Sequence, residues 1–136
     1  MKSLYREAEA KRYVADHASR WGEALALRVY TSHLLGAEPA LVLHGGGNTS
    51  VKSHARELTG EEVAVLYVKG SGWDLASIQP EGFPACRLDA LRRMGQLEAL
   101  SDEDMVRGLR GQMLDPASPT PSVEALLHAF LPARYV

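Results

Sequence analysis

Between Glu7 and Leu35 the apolar residues recur at roughly the 3.6-residue helical period, with Val14, Ala18, Trp21, Leu25, Val29 and Leu35 on one face. The pattern slips near Arg20–Gly22, which predicts two helices, and Gly36 with Pro39 marks the end of the second. His17 and His33 fall among polar positions, as expected of solvated side chains. The pattern then changes period. Leu41–Leu43 and Asn48–Lys52 read as short strands on either side of Gly45–Gly47, and Glu57–Glu62 reads as a polar turn centred on Gly60. Val63–Val68 is almost continuously apolar and β-branched, so Glu62–Lys69 is predicted as a central buried strand. Asp74–Gln79 and Phe83–Leu88 carry weaker strand or turn signals around Pro80 and Gly82.

The second half is helical in pattern. Leu88, Leu91, Met94 and Leu97 form a stripe that predicts a helix over Leu88–Leu100. Ser101 followed by Asp102, Glu103 and Asp104 predicts an N-cap and an acidic first turn for a helix reaching about Leu114. Asp115–Pro121 is a proline-rich connection, Ser122 is the expected cap of a third helix to about Leu131, and Pro132 ends it. Ala133–Val136 has the start of a strand pattern. A strand cluster flanked by helices predicts an α/β fold, a sheet covered by helices.

Composition narrows the function classes. The 136 residues suit one domain with a real core, and 46% hydrophobic against 24% charged residues is a globular balance. Fifteen basic and 17 acidic residues give a formal net charge of −2, which supplies no global field for nucleic acid or an anionic membrane. No apolar run approaches the ~20 residues of a membrane span, and Met1–Glu7 lacks the apolar core of a signal peptide. Cys86 is the only cysteine, so it has no intrachain disulfide partner and no cysteine zinc cluster exists; its simplest reading is a small buried residue. The expected setting is the cytoplasm.

The candidate chemistry lies in the loops. Gly45–Gly47 leave the backbone free to turn and amides free to approach a ligand, while Asn48, Thr49 and Ser50 add an amide and two hydroxyls, and Lys52 a nearby charge. Gly70-Ser-Gly72 is a second such loop after a strand, and Ser122 is a hydroxyl at an expected helix start. Neither G-x-x-x-x-G-K-[ST] nor G-x-G-x-x-G with its later acidic residue is present, so neither nucleotide fingerprint applies. These groups form an anion cradle, or the glycines serve only as a turn. Glu124 beside them suits a general acid/base, or else simply complements a helix dipole.

Leu43-His-Gly-Gly-Gly-Asn-Thr-Ser50, Val68-Lys-Gly-Ser-Gly-Trp-Asp-Leu75 and Pro121-Ser-Val-Glu-Ala-Leu-Leu-His-Ala-Phe-Leu-Pro132 together resemble the class II aldolase/adducin family. More narrowly they resemble the aldolase part of bifunctional rhamnulose-phosphate aldolase/short-chain dehydrogenase proteins. The resemblance implies a three-layer α/β/α domain around a mainly antiparallel sheet, with residues 1–136 as its N-terminal portion, assembled as a homo-oligomer. It implies zinc-dependent retro-aldol cleavage of a sugar 1-phosphate, of the rhamnulose 1-phosphate kind, to dihydroxyacetone phosphate and an aldehyde. Matched motif by motif, Gly47, Asn48, Ser71, Gly72 and Ser122 fall on the phosphate site and Glu124 on the catalytic acid/base.

Two departures carry expectations. Phosphate-binding members commonly have two serines before the glutamate, and Val123 replaces the second here, which leaves the substrate's identity open. The family's zinc-binding His-x-His and third histidine fall beyond Val136, so no metal ligand is expected within this chain and its own turnover is expected to be very low. His44 and His54 flank the first glycine loop and His128 lies one turn after Glu124; all three have bland packing or loop roles as their simplest reading. A sheet left with an unpaired edge would also self-associate. The alternative reading is a non-enzymatic, adducin-like binding or assembly module.

Overall fold

In the computed structural model, which describes residues 2–136, the order is α1 (Glu7–Trp21), α2 (Glu23–Gly36), β1 (Ser50–Arg56), β2 (Glu62–Val68), β3 (Ala85–Arg87), α3 (Leu88–Met94), α4 (Asp102–Gly111) and α5 (Ala125–Phe130). Met1, the first position of the expected domain, lies outside the described residues. The expected break between the first two helices falls at Gly22, whose φ of 85° is left-handed and stops α1.

The three strands form an antiparallel sheet in the order β1-β2-β3, with Ser50 opposite Val68 and Leu66 opposite Cys86. Both outer edges are extended by short irregular segments. Val51 pairs with Tyr135 outside β1, and Cys86 pairs with Met113 outside β3. The expected strand signal at the end of the chain is thus real. It also corrects the picture of a bare edge at β1, since Ser50 and Val136 exchange backbone hydrogen bonds of 2.9 and 3.2 Å.

The alternation along β2 sends its side chains into two cores. Val65 and Tyr67 pack with Val51, Leu25, Val29, Ile78 and Phe83 on the α1–α2 side. Leu66 and Val68 pack with Cys86, Leu88, Leu91, Leu109, Ala125 and Ala129 on the α3–α5 side. A strand buried on both faces needs apolar residues at every position, which explains the continuous run. The result is the expected α/β/α layering. Leu66 is fully buried, and truncating such a residue to Ala costs about 2–5 kcal/mol.

Several sequence expectations give way to local geometry. Leu41–Leu43 is no strand: Leu41 and Val42 donate to Glu38 O, continuing a turn after α2, and Leu43 is 80% exposed. The third helix ends at Met94, so Leu97 leaves the stripe and is exposed. Ser101 caps α4 as expected, its Oγ accepting from Asp104 N at 3.1 Å. His33 is not solvated: it hydrogen-bonds Tyr13 Oη at 2.8 Å and the Ile78 carbonyl at 2.6 Å. On α5, Leu127 and Phe130 stay exposed beside Val123 and Leu131, an apolar strip on the outer surface. No helix is long and apolar enough to cross a membrane, among the described residues.

Candidate functional site

The backbone of Lys69, just past β2, draws the expected site segments together. Its N–H donates to Thr49 O at 3.0 Å, and its carbonyl accepts from Ser122 N at 3.1 Å. Gly70 pairs with Pro121, and Ser71 N donates to Thr120 O at 2.9 Å. This lacing needs a glycine, because a Cβ on Gly70 would stand 2.6 Å from Pro119 Cβ. Residues some 70 positions apart thereby become neighbours.

Asn48 links the functional groups. Its Nδ2 donates to Ser122 Oγ at 2.5 Å and to Glu124 Oε2 at 3.2 Å, and Ser122 Oγ also hydrogen-bonds the Glu124 carboxylate. Asn48 Oδ1 is buried with no hydrogen-bond partner among the described residues. Ser71 and Gly72 lie on the adjacent exposed loop, and Gly47 precedes Asn48 on its own exposed loop; Gly47 and Gly72 have φ of 74° and 85°. The structure therefore joins Asn48, Ser122 and Glu124 directly and sets Gly47, Ser71 and Gly72 on the flanking loops.

Hydrogen bonds from Ser122 and from its own backbone amide hold the Glu124 carboxyl below its usual range. It is ionised at neutral pH, and in that form it accepts protons. His128, one turn on, is also shifted down, but by burial, which in a histidine favours the neutral form, and its Nδ1 engages Ser50 Oγ at 2.8 Å. It is a packed, neutral histidine.

Three sequence-level details are corrected by these contacts. Ser122 is not the helix cap: α5 begins at Ala125 after Glu124, and its six residues are too few for a strong helix-end anion site. Any anion here is held by side chains and loop amides. Thr49 and Ser50 do not offer their hydroxyls to a ligand, because Thr49 Oγ1 is buried against Ser32 Oγ at 2.8 Å and Ser50 faces His128. Lys52 is absorbed too, its Nζ reaching Leu131 O and Ala133 O at 2.5 and 2.6 Å at the end of α5. Of the Asn48, Thr49, Ser50 and Lys52 side chains, Asn48 alone reaches Ser122 and Glu124.

Sequence reasoning passed over Asp74 and Arg28. Asp74 accepts from Gly45 N at 3.1 Å and lies 2.7 Å from His44 Nδ1. Arg28 is buried without a carboxylate and donates to Ser50 O and Val136 O at 3.3 and 2.9 Å; burial lowers its pKa to about 10. Asp74 lies within the Val68–Leu75 motif but had no role assigned to it, and Arg28 has no motif signal because it acts through backbone groups far away in sequence.

Among the described residues no three His, Cys, Asp or Glu side chains gather as a metal site. Glu124 hydrogen-bonds Ser122 and Asn48 and His128 hydrogen-bonds Ser50, so the residues present do not fit a zinc ion.

No family model matches the chain. A solved structure, the N-terminal class II aldolase domain of a conserved protein from Thermoplasma acidophilum, matches it with a TM-score of 0.84 and 38% identity over 99% of this chain and 58% of that chain. This chain has a class II aldolase-like fold. A curated relative, the uncharacterized oxidoreductase YuxG of Bacillus subtilis (strain 168), is 38% identical over 122 residues, which is 90% of this chain and 18% of that protein. The class II aldolase-like domain thus spans a small part of that relative and somewhat over half of the solved chain. The oxidoreductase name belongs to YuxG; neither nucleotide fingerprint occurs in this domain.

Proposed function

We propose that this class II aldolase-like domain grips a sugar phosphate and serves retro-aldol cleavage, giving dihydroxyacetone phosphate and an aldehyde, with a rhamnulose 1-phosphate-like substrate. The observation that carries this reading is the reach of Asn48 Nδ2 to both Ser122 Oγ and the ionised Glu124 carboxylate. What supports the reading is that Asn48 and Ser122 lie against a carboxylate, in a fold shared with an aldolase domain.

In this reading Asn48, Ser122 and Ser71 donate to the phosphate oxygens, and the amides near Gly47 and Gly72 complete the cradle. In the condensation direction the Glu124 carboxylate takes the proton from the donor carbon beside the ketone; in cleavage it returns that proton to the carbon. Class II aldolases are generally zinc-dependent. The described residues supply no zinc donor set, and the proton step assigned to Glu124 is the part this chain performs. Assembly as a homo-oligomer fits the exposed apolar strip of Val123, Leu127, Phe130 and Leu131.

The test is titration calorimetry with dihydroxyacetone phosphate and with dihydroxyacetone, followed by a cleavage assay on rhamnulose 1-phosphate with zinc added. Binding that needs the phosphate, with cleavage lost in Glu124→Gln, supports the proposal. Phosphate-dependent binding with no cleavage and no role for Glu124 favours a binding module. Equal binding with and without the phosphate refutes the cradle.

A further inference from the structure

One carboxylate ties the loops of the proposed cradle to each other through side-chain hydrogen bonds. Asp74 follows Gly72 and Trp73, and its Oδ2 accepts from Gly45 N at 3.1 Å and pairs with His44 Nδ1 at 2.7 Å. Its Oδ1 accepts from Ala76 N at 2.9 Å, and its carbonyl accepts from Ser77 N at 3.1 Å, closing a turn. One side chain just past the second glycine loop therefore takes donors from the first, 29 positions away, and from its own turn. The backbone N–H bonds from Ala76 and Gly45, with His44 beside them, hold its carboxyl below the usual range.

Packing continues the same connection. Leu75 is buried, and its Cδ1 lies so close to Gly47 that a Cβ there would stand 2.8 Å away. Beneath it, the end of α2 meets the same segment: a Cβ on Gly36 would come within 2.2 Å of Ala76 N. The 74–76 segment is thus seated on α2, and the first glycine loop is seated on the 74–76 segment.

We propose that Asp74 is a positioning residue that sets the spacing between the two oxyanion loops, so that Asn48 and the Gly47 backbone meet the same phosphate as Ser71 and Gly72. The inference rests on the phosphate reading above and deepens it. Asp74 touches no ligand in this account. It acts through the Gly45 amide and the His44 imidazole, which fix the path of the chain into Asn48. A carboxylate suits the task because its two oxygens serve three donors at once. An asparagine has one acceptor oxygen and must abandon either the Gly45–His44 side or Ala76.

The experiment is titration of inorganic phosphate into the wild-type chain, Asp74→Asn and His44→Ala, by calorimetry and by backbone-amide NMR. His44 is almost fully exposed, so its replacement leaves packing untouched. Asp74→Asn is expected to weaken phosphate at least tenfold, and His44→Ala several-fold. In both, the amide signals of Gly45 and of Ser71 and Gly72 move together while those of β2 stay in place, a coupling that a purely local turn would not produce. The inference is overturned if either variant, once shown to be folded, binds phosphate within twofold of the wild type. A wild-type chain that binds no phosphate sinks the cradle reading itself, and the role of Asp74 with it. Phosphate binding by the wild type that survives Asp74→Asn leaves the cradle standing and removes only the clasp.

Discussion

Replacing Asn48 by Ala separates a ligand-binding residue from a structural tie. In the ligand-free protein the change deletes the Nδ2 contacts with Ser122 Oγ and Glu124 Oε2. A neutral hydrogen bond is worth about 0.5–1.5 kcal/mol net, and the share involving the exposed Glu124 is screened by water. The substitution also removes Asn48 Oδ1, a buried acceptor with no partner, whose burial itself costs about 1–3 kcal/mol. The two effects oppose each other, so stability is expected to change by less than about 1 kcal/mol. With phosphate bound, the same Nδ2 donates to a charged oxygen, a bond worth about 1.5–3 kcal/mol. The dissociation constant for dihydroxyacetone phosphate is therefore expected to rise roughly 10- to 150-fold. Chemical denaturation gives the first quantity and titration calorimetry the second. A large loss of stability with affinity held within threefold would refute the reasoning, because Asn48 would then be a fold-supporting residue.

Glu124→Gln is expected to abolish the very low cleavage expected of this chain with added zinc while leaving phosphate binding within a few-fold, read by product formation beside calorimetry. Its folded pKa is depressed, so its stabilising contribution is complete above the ordinary value of 4.5 and is lost as pH falls through the lower folded value; the variant should flatten that acid limb in pH-dependent denaturation. Gly36→Ala drives a Cβ to within 2.2 Å of the Ala76 backbone nitrogen and should cost about 1–3 kcal/mol, lowering the melting temperature by several degrees. Cys86 is buried and its thiol is pushed up to about 12, so a thiol reagent at pH 8 should label it only as fast as the chain opens; rapid labelling of the native protein would contradict that.

The fold was legible where burial dictates residue type. β2 must be apolar on both faces, and its run of six apolar residues announced a central strand. The α1–α2 break was legible because Gly22 takes a left-handed φ. Leu41–Leu43 misled because an apolar triplet after a helix carries no information about whether a strand lies alongside, and Glu38 captured its amides instead. In the site, Asn48, Ser122 and Glu124 were legible by resemblance, and their contact is the structure's addition. The hydroxyls of Thr49 and Ser50 and the charge of Lys52 could not be assigned from sequence, since their direction depends on Ser32, His128 and the end of α5. Asp74 was read within the Val68–Leu75 motif and at the start of a weak strand or turn; its donors Gly45 and His44 become visible only when the two glycine loops lie side by side.

The most direct test of the central claim is an amide NMR titration of the chain with dihydroxyacetone phosphate. The account predicts saturable shifts at Gly47, Asn48, Ser71, Gly72 and Ser122, with the Glu57–Arg87 ion pair at the far end of the sheet undisturbed. Shifts centred elsewhere, or none at millimolar ligand, would contradict it.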